Sequence, residues 1–120
     1  MTISGDFPHI TNRRITSNGI ELNIAEQGDA DAPLIVMLHG FPESWFSWRH
    51  QFAPLAAAGY HVVAPDMRGY GESDKPSDIS AYNQVEVVND VKGLVAALGY
   101  ETSIVIGHDW GGPTAWSCAL

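Results

Sequence analysis

Residues 107–112 read Gly-His-Asp-Trp-Gly-Gly and directly follow the apolar run Ser103-Ile104-Val105-Ile106. A strand that ends in Gly-x-Asp-x-Gly and continues as a helix puts Asp109 at the tip of a sharp turn. Gly107 and Gly111 let strand and helix approach closely there. This is the pattern of a nucleophile elbow, with aspartate where serine is usual. A carboxylate held at such a tip attacks carbon and forms an ester. That chemistry suits epoxides and alkyl halides better than amides or esters. An aspartate ahead of a helix also serves as an ordinary N-cap, but the glycine spacing is more than a cap requires.

His39-Gly40-Phe41-Pro42 supplies the second half of such a site. Gly40 permits a tight turn and Pro42 fixes the backbone just after it, so that the Phe41 N–H points inward. With the Trp110 N–H it would make a two-donor anion pocket. The pocket would hold the Asp109 carboxylate first and the charge formed on ester cleavage later. Taken alone, the same four residues are an ordinary strand-to-helix turn. His39 and His108 are poor candidates for a catalytic base. His39 is expected to hold the loop by hydrogen bonds, and His108, beside the nucleophile on a sharp turn, should direct its side chain away. His9, His50 and His61 lack metal-ligand spacing, and neither metal nor cofactor is expected. In the loop Asp66-Met-Arg-Gly-Tyr-Gly-Glu-Ser-Asp74, Arg68 is expected to pair with Asp66 or another acid as a brace. Trp45, Phe46 and Trp48 read as core or pocket wall, and Cys118 as a buried small apolar residue.

The elements that must position these residues follow from hydropathy and turn signals. Residues 1–8 read as a loose arm. Ile10–Thr16 and Ile20–Ala25 alternate about Asn18-Gly19, a hairpin signal. After a loop over 27–33, Leu34–Leu38 is a continuous apolar run, as in a strand buried on both faces. Residues 44–58 fit a helix closed by Gly59. His61–Ala64 is a second buried strand ended by Pro65, and 66–81 is a long loop. Valines and leucines from Tyr82 to Leu98 recur at helical spacing, with Gly99 as the stop. Ser103–Ile106 is a third buried strand, and a last helix begins near Trp110. Strands alternating with helices imply a mostly parallel sheet with helices on both faces, here preceded by an antiparallel hairpin. Sites in such sheets form at the carboxyl ends of the strands, where loops 39–44, 66–76 and 107–111 fall.

Composition narrows the class. The 120 residues suit one domain at most, and 45% hydrophobic with 17% charged residues suits a soluble globular protein. A net charge of −8 offers no basic face for nucleic acid or anionic lipid. The single cysteine gives no internal disulfide. The N-terminus lacks a signal-peptide pattern and no apolar run reaches membrane-spanning length, so a cytoplasmic location without a membrane partner is expected. The apolar, uncapped end Thr114–Leu120 reads as a cut inside an element. It predicts an open sheet edge and possible self-association through it.

His39-Gly-Phe-Pro-Glu-Ser-Trp45, Trp48-Arg49, Asp66-Met-Arg-Gly-Tyr-Gly-Glu-Ser73 and Gly107-His-Asp-Trp-Gly-Gly112 together resemble the α/β-hydrolase fold and, within it, the epoxide hydrolases. The resemblance runs from about residue 10 to the end. It implies the N-terminal part of a core domain over 1–120, with Asp109 opening a small-molecule epoxide to a hydroxyalkyl ester. A His–carboxylate pair then activates water to release a diol, and cap tyrosines hydrogen bond the epoxide oxygen. That pair and the cap would lie beyond Leu120, so turnover by this chain alone is not expected. Two alternatives stand beside this reading: a haloalkane dehalogenase-like hydrolase, and a non-catalytic truncated fragment. Haloalkane dehalogenases usually place a halide-binding residue, often Asn, where this chain has Phe41. Fluoroacetate dehalogenases share His-Gly-Phe-Pro but usually have Arg where this chain has Trp110.

Overall fold

The computed structural model describes residues 2–3 and 7–119. Its strands are β1 (Thr2–Ile3), β2 (Thr11–Ser17), β3 (Ile20–Gln27), β4 (Leu34–Leu38), β5 (His61–Pro65) and β6 (Ile104–Gly107). Its helices are α1 (Phe52–Ala57), α2 (Gln84–Ala97) and α3 (Gly111–Ala119), with short 3-10 turns at Trp45–Trp48 and Ile79–Tyr82. All six strands form one sheet in the order β1-β2-β3-β5-β4-β6. The sheet is mixed. β1 to β3 run antiparallel and β3 also pairs antiparallel with β5, while β4 runs parallel to both β5 and β6. The hairpin is thus the outer half of the same sheet. Asn18 (φ 51°) and Gly19 (φ 77°) close it, the pair of positive φ angles that a two-residue turn between twisted strands requires.

Period-two alternation builds two cores from the same strands. Leu34, Val36 and Leu38 of β4 join Leu22, Ile24 and Val63 under Val91 and Leu94 of α2. Ile35 and Met37 join Ala25, Val62 and Ala64 under Phe52 of α1. Every residue of β4 and β5 is buried, as their uninterrupted apolar runs imply. Removing one such side chain, Leu38 for example, costs about 2–5 kcal/mol through lost burial and the cavity left behind.

Four local expectations need correction. Thr2–Ile3, expected in a loose arm, pairs with Thr11 and Asn12 of β2; positions 1 and 4–6 of that arm lie outside the described residues. The helix expected over 44–58 is broken into the 3-10 turn and α1. Pro54 lacks the N–H needed to donate to residue 50, so it fits only in a first helical turn. β6 is not buried on both faces: Ile104 and Ile106 are 48% and 36% exposed. The register explains this. β6 is the last strand of the sheet, and α1 packs on β3 and β5 rather than on β6. Cys118 is half-buried, not buried, because α3 lies over that same edge.

α2 starts two residues later than its apolar periodicity suggests. The Asn83 side chain caps it by accepting from the Glu86 N–H at 3.0 Å, satisfying one of the free amides of the first turn.

Candidate active site

The β4–β6 register brings the two chemical motifs together. Leu38 pairs with Gly107, so the loops that leave both strands start side by side. The His108 N–H donates to the Leu38 carbonyl at 3.1 Å and extends the pairing one residue into the turn. The chain then reverses. Asp109 takes φ 58°, a left-handed conformation that costs a non-glycine residue energy but is best tolerated by Asp and Asn. The Gly111 N–H closes the turn on the His108 carbonyl at 2.9 Å.

Three glycines are required by space alone. A Cβ on Gly107 would sit 2.1 Å from the Gly111 carbonyl oxygen, and one on Gly111 would sit 2.3 Å from the Leu38 oxygen. A Cβ on Gly40 would meet the Asp109 Cβ at 2.4 Å. The Gly40 contact lets the Phe41 N–H reach the Asp109 Oδ2 at 3.1 Å. The following Phe41–Pro42 peptide is cis. The Phe41 amide, and secondarily that of Trp110, hold the Asp109 carboxyl below its ordinary value of 3.8. Hydrogen bonding to the charged form favours it. Asp109 is therefore an ionised, solvent-facing carboxylate at neutral pH. Phe41 and Trp110 are 61% and 70% exposed.

His39 is buried, and both ring nitrogens are engaged. Nε2 accepts from the Met67 N–H at 2.9 Å and Nδ1 lies 2.9 Å from the Gly40 carbonyl oxygen. This pairing requires the neutral ring with its proton on Nδ1, and burial lowers its pKa below 6.5. His39 thus ties the β4 loop to the β5 loop. The His108 side chain is turned to solvent, with Nδ1 3.7 Å from the Glu43 carboxylate.

Three acids organise the surrounding loops. Asp66, 1% exposed, accepts from the Trp45 N–H, the Glu72 N–H and the Asn23 side-chain amide at 2.9–3.0 Å. Gly71 lies against this carboxylate, with φ 52° and no room for a Cβ. Arg68 pairs not with Asp66 but with Asp90 of α2, through two bonds of 2.9 Å, and also donates to the Ala81 carbonyl at 2.8 Å. Glu43 accepts from the Gly40 N–H at 3.0 Å. Sequence reading missed the anchoring of Asp66, Asp90 and Glu43. Only the placement of Asp66 straight after a buried strand hinted at its part. Between these loops lies a cleft of about 250 Å³ bordered by His39, Gly40, Met67, Tyr70, Tyr82 and Trp110 among others.

Among the described residues, no three His, Cys, Asp or Glu side chains converge as metal ligands. No helix among them is long and apolar enough to cross a membrane.

The fold agrees with comparison to known proteins. Residues 33–120 match the family described as alpha/beta hydrolase fold, and the chain belongs to that family. It is 51% identical over 105 residues to the AB hydrolase superfamily protein YfhM of Bacillus subtilis, an alignment covering 88% of this chain and 37% of that protein. It is 46% identical over 110 residues to epoxide hydrolase A of Mycobacterium tuberculosis, covering 92% and 34% respectively. The crystal structure of epoxide hydrolase A from Mycobacterium thermoresistibile superposes with a TM-score of 0.91 at 46% identity, over 92% of this chain and 35% of that one. The chain spans about a third of the length of the relatives it matches.

Proposed function

We propose that this chain carries the nucleophilic half of an epoxide hydrolase site, with Asp109 as the nucleophile. The single observation that carries the reading is the ionised Asp109 carboxylate at a left-handed turn, hydrogen bonded to the Phe41 N–H. A carboxylate oxygen attacks a ring carbon of the epoxide, the C–O bond breaks, and its electron pair passes to the epoxide oxygen, which takes a proton from solvent water. The product is a hydroxyalkyl ester of Asp109. Water attack on the ester carbonyl would place negative charge where the Phe41 and Trp110 amides stabilise it, and collapse would release a diol. The likeness to proteins named epoxide hydrolase supports the substrate class.

The second half needs a base near the ester. His39 is bonded on both ring nitrogens, and the neighbouring His108 ring is turned to solvent beside Glu43. This chain by itself is therefore expected to be alkylated once and not to turn over. Intact mass after incubation with styrene oxide, with a bromoalkane in parallel, tests the reading. One epoxide adduct per chain, absent in Asp109→Ala, is the expected result. An adduct from the bromoalkane alone would favour a dehalogenase-like hydrolase. Sustained diol production by the purified chain would refute the single-turnover expectation.

A further inference from the structure

Gly40 presents a physical problem to the site. It must be glycine, because any Cβ there would collide with the Asp109 side chain. Glycine is also the residue with the greatest backbone freedom. Left untethered, it would let the next peptide rotate and carry the Phe41 N–H away from Asp109. The structure holds both sides of Gly40. Its carbonyl oxygen accepts from the Glu43 N–H at 2.9 Å and faces His39 Nδ1 at 2.9 Å. In a planar trans peptide the carbonyl and the following N–H point in opposite directions. Drawing the Gly40 oxygen away from the nucleophile therefore aims the Phe41 N–H towards it. The Gly40 N–H in turn is bound by Glu43 Oε1 at 3.0 Å, and the same oxygen lies 3.7 Å from Nδ1 of His108, the residue before the nucleophile. Glu43 thus touches both loops of the site without touching the Asp109 carboxylate.

We propose that Glu43 is a positioning residue, whose carboxylate spans the Gly40 amide and His108 and keeps the Phe41 N–H aimed at Asp109. Its consequence for chemistry rests on Asp109 being the nucleophile; its consequence for the loop does not. The test uses the full chain with Glu43→Ala, Glu43→Asp and Glu43→Gln. Aspartate keeps the charge but is one methylene too short to reach Gly40, whereas glutamine keeps the reach and an accepting oxygen. Amide hydrogen exchange by NMR reads the tether directly. Exchange at Gly40 and Phe41 should be about five- to tenfold faster in the Ala and Asp variants, the effect of losing one hydrogen bond. Val36 in β4 should be unchanged, and the Gln variant should match wild type. The rate of adduct formation with styrene oxide should fall by a similar factor in Ala and Asp and recover in Gln.

Wild-type exchange at Gly40 and Phe41 in Glu43→Asp would overturn the proposal, as would a Gln variant as impaired as Ala. Should Glu43→Ala not fold, the Asp and Gln pair decides. Should wild type form no adduct, the nucleophile reading fails while the exchange rates still decide the role of Glu43.

Discussion

At the scale of single residues, the site depends on atoms that are absent. Gly107 and Gly111 are spaced about Asp109 because two backbones pass within contact there, and a methyl group on either would strike a carbonyl oxygen that cannot swing aside. Gly112, one residue further on, has nothing within 4 Å of its would-be Cβ. The two kinds of glycine should separate cleanly. Gly107→Ala should destabilise the chain by about 3 kcal/mol, an overpacking cost at the upper end because the obstacle is backbone. It should also abolish adduct formation. Gly112→Ala, in the first turn of α3, should be neutral or stabilise by up to ~1 kcal/mol and leave the adduct intact. Urea unfolding followed by circular dichroism, with intact mass on the same samples, measures both. The sharp turn at Asp109 was legible in the sequence because its constraint is local: a tip residue and two glycines within five positions. Glu43 was not legible as a tether, since its side chain acts three residues back on Gly40 and across to His108, 65 positions away. No spacing rule announces that contact.

At the scale of elements, hydropathy located β2 to β6 and long α2, because burial on one face or two imposes a period on the chain. The apolar spacing over 44–58 does not reveal the break into a 3-10 turn and α1, which begins two residues before Pro54. Nor could it choose the partner of Arg68. The sequence offers several acids, and the choice of Asp90 depends on α2 crossing behind the 66–81 loop. Both side chains of that pair are only 4% exposed, and the guanidinium also holds the Ala81 carbonyl. Breaking such a pair leaves a buried charge without compensation. Arg68→Ala should therefore cost about 3–5 kcal/mol. Arg68→Lys should recover little of this, since an ammonium cannot make the paired bonds to the carboxylate. Replacing both partners with apolar residues, Arg68→Met with Asp90→Leu, should cost less than Arg68→Ala alone. Chemical unfolding of the four proteins checks the order; a double variant less stable than Arg68→Ala would show that the pair contributes net stability.

At the scale of the whole molecule, one buried histidine couples stability to pH. His39 joins the loop after β4 to the loop after β5 only as a neutral ring, because Nε2 must accept the Met67 N–H. Burial places its folded pKa below the unfolded value of 6.5. Above pH 6.5 both states carry a neutral ring and the His39 contribution is complete. As pH falls below 6.5 the unfolded chain takes up a proton that the folded chain refuses. Stability then declines until the folded pKa is reached, at no more than ~1.4 kcal/mol per pH unit for this one group. Glu26 acts lower on the scale. His61 and Arg13 hold its carboxyl below 4.5 against the opposing effect of burial, so its contribution is present above pH 4.5 and is lost as pH falls through the folded value. The two windows are separable. Between pH 7.5 and 5.5 the urea midpoint of the wild-type chain should fall. His39→Gln should start less stable at pH 7.5, having lost one of its two loop contacts, yet decline less over the same interval. Parallel slopes for the two proteins would mean that His39 is protonated in the folded state. The bond from Met67 could not then exist as drawn, and the tie between the two site loops would need a different origin.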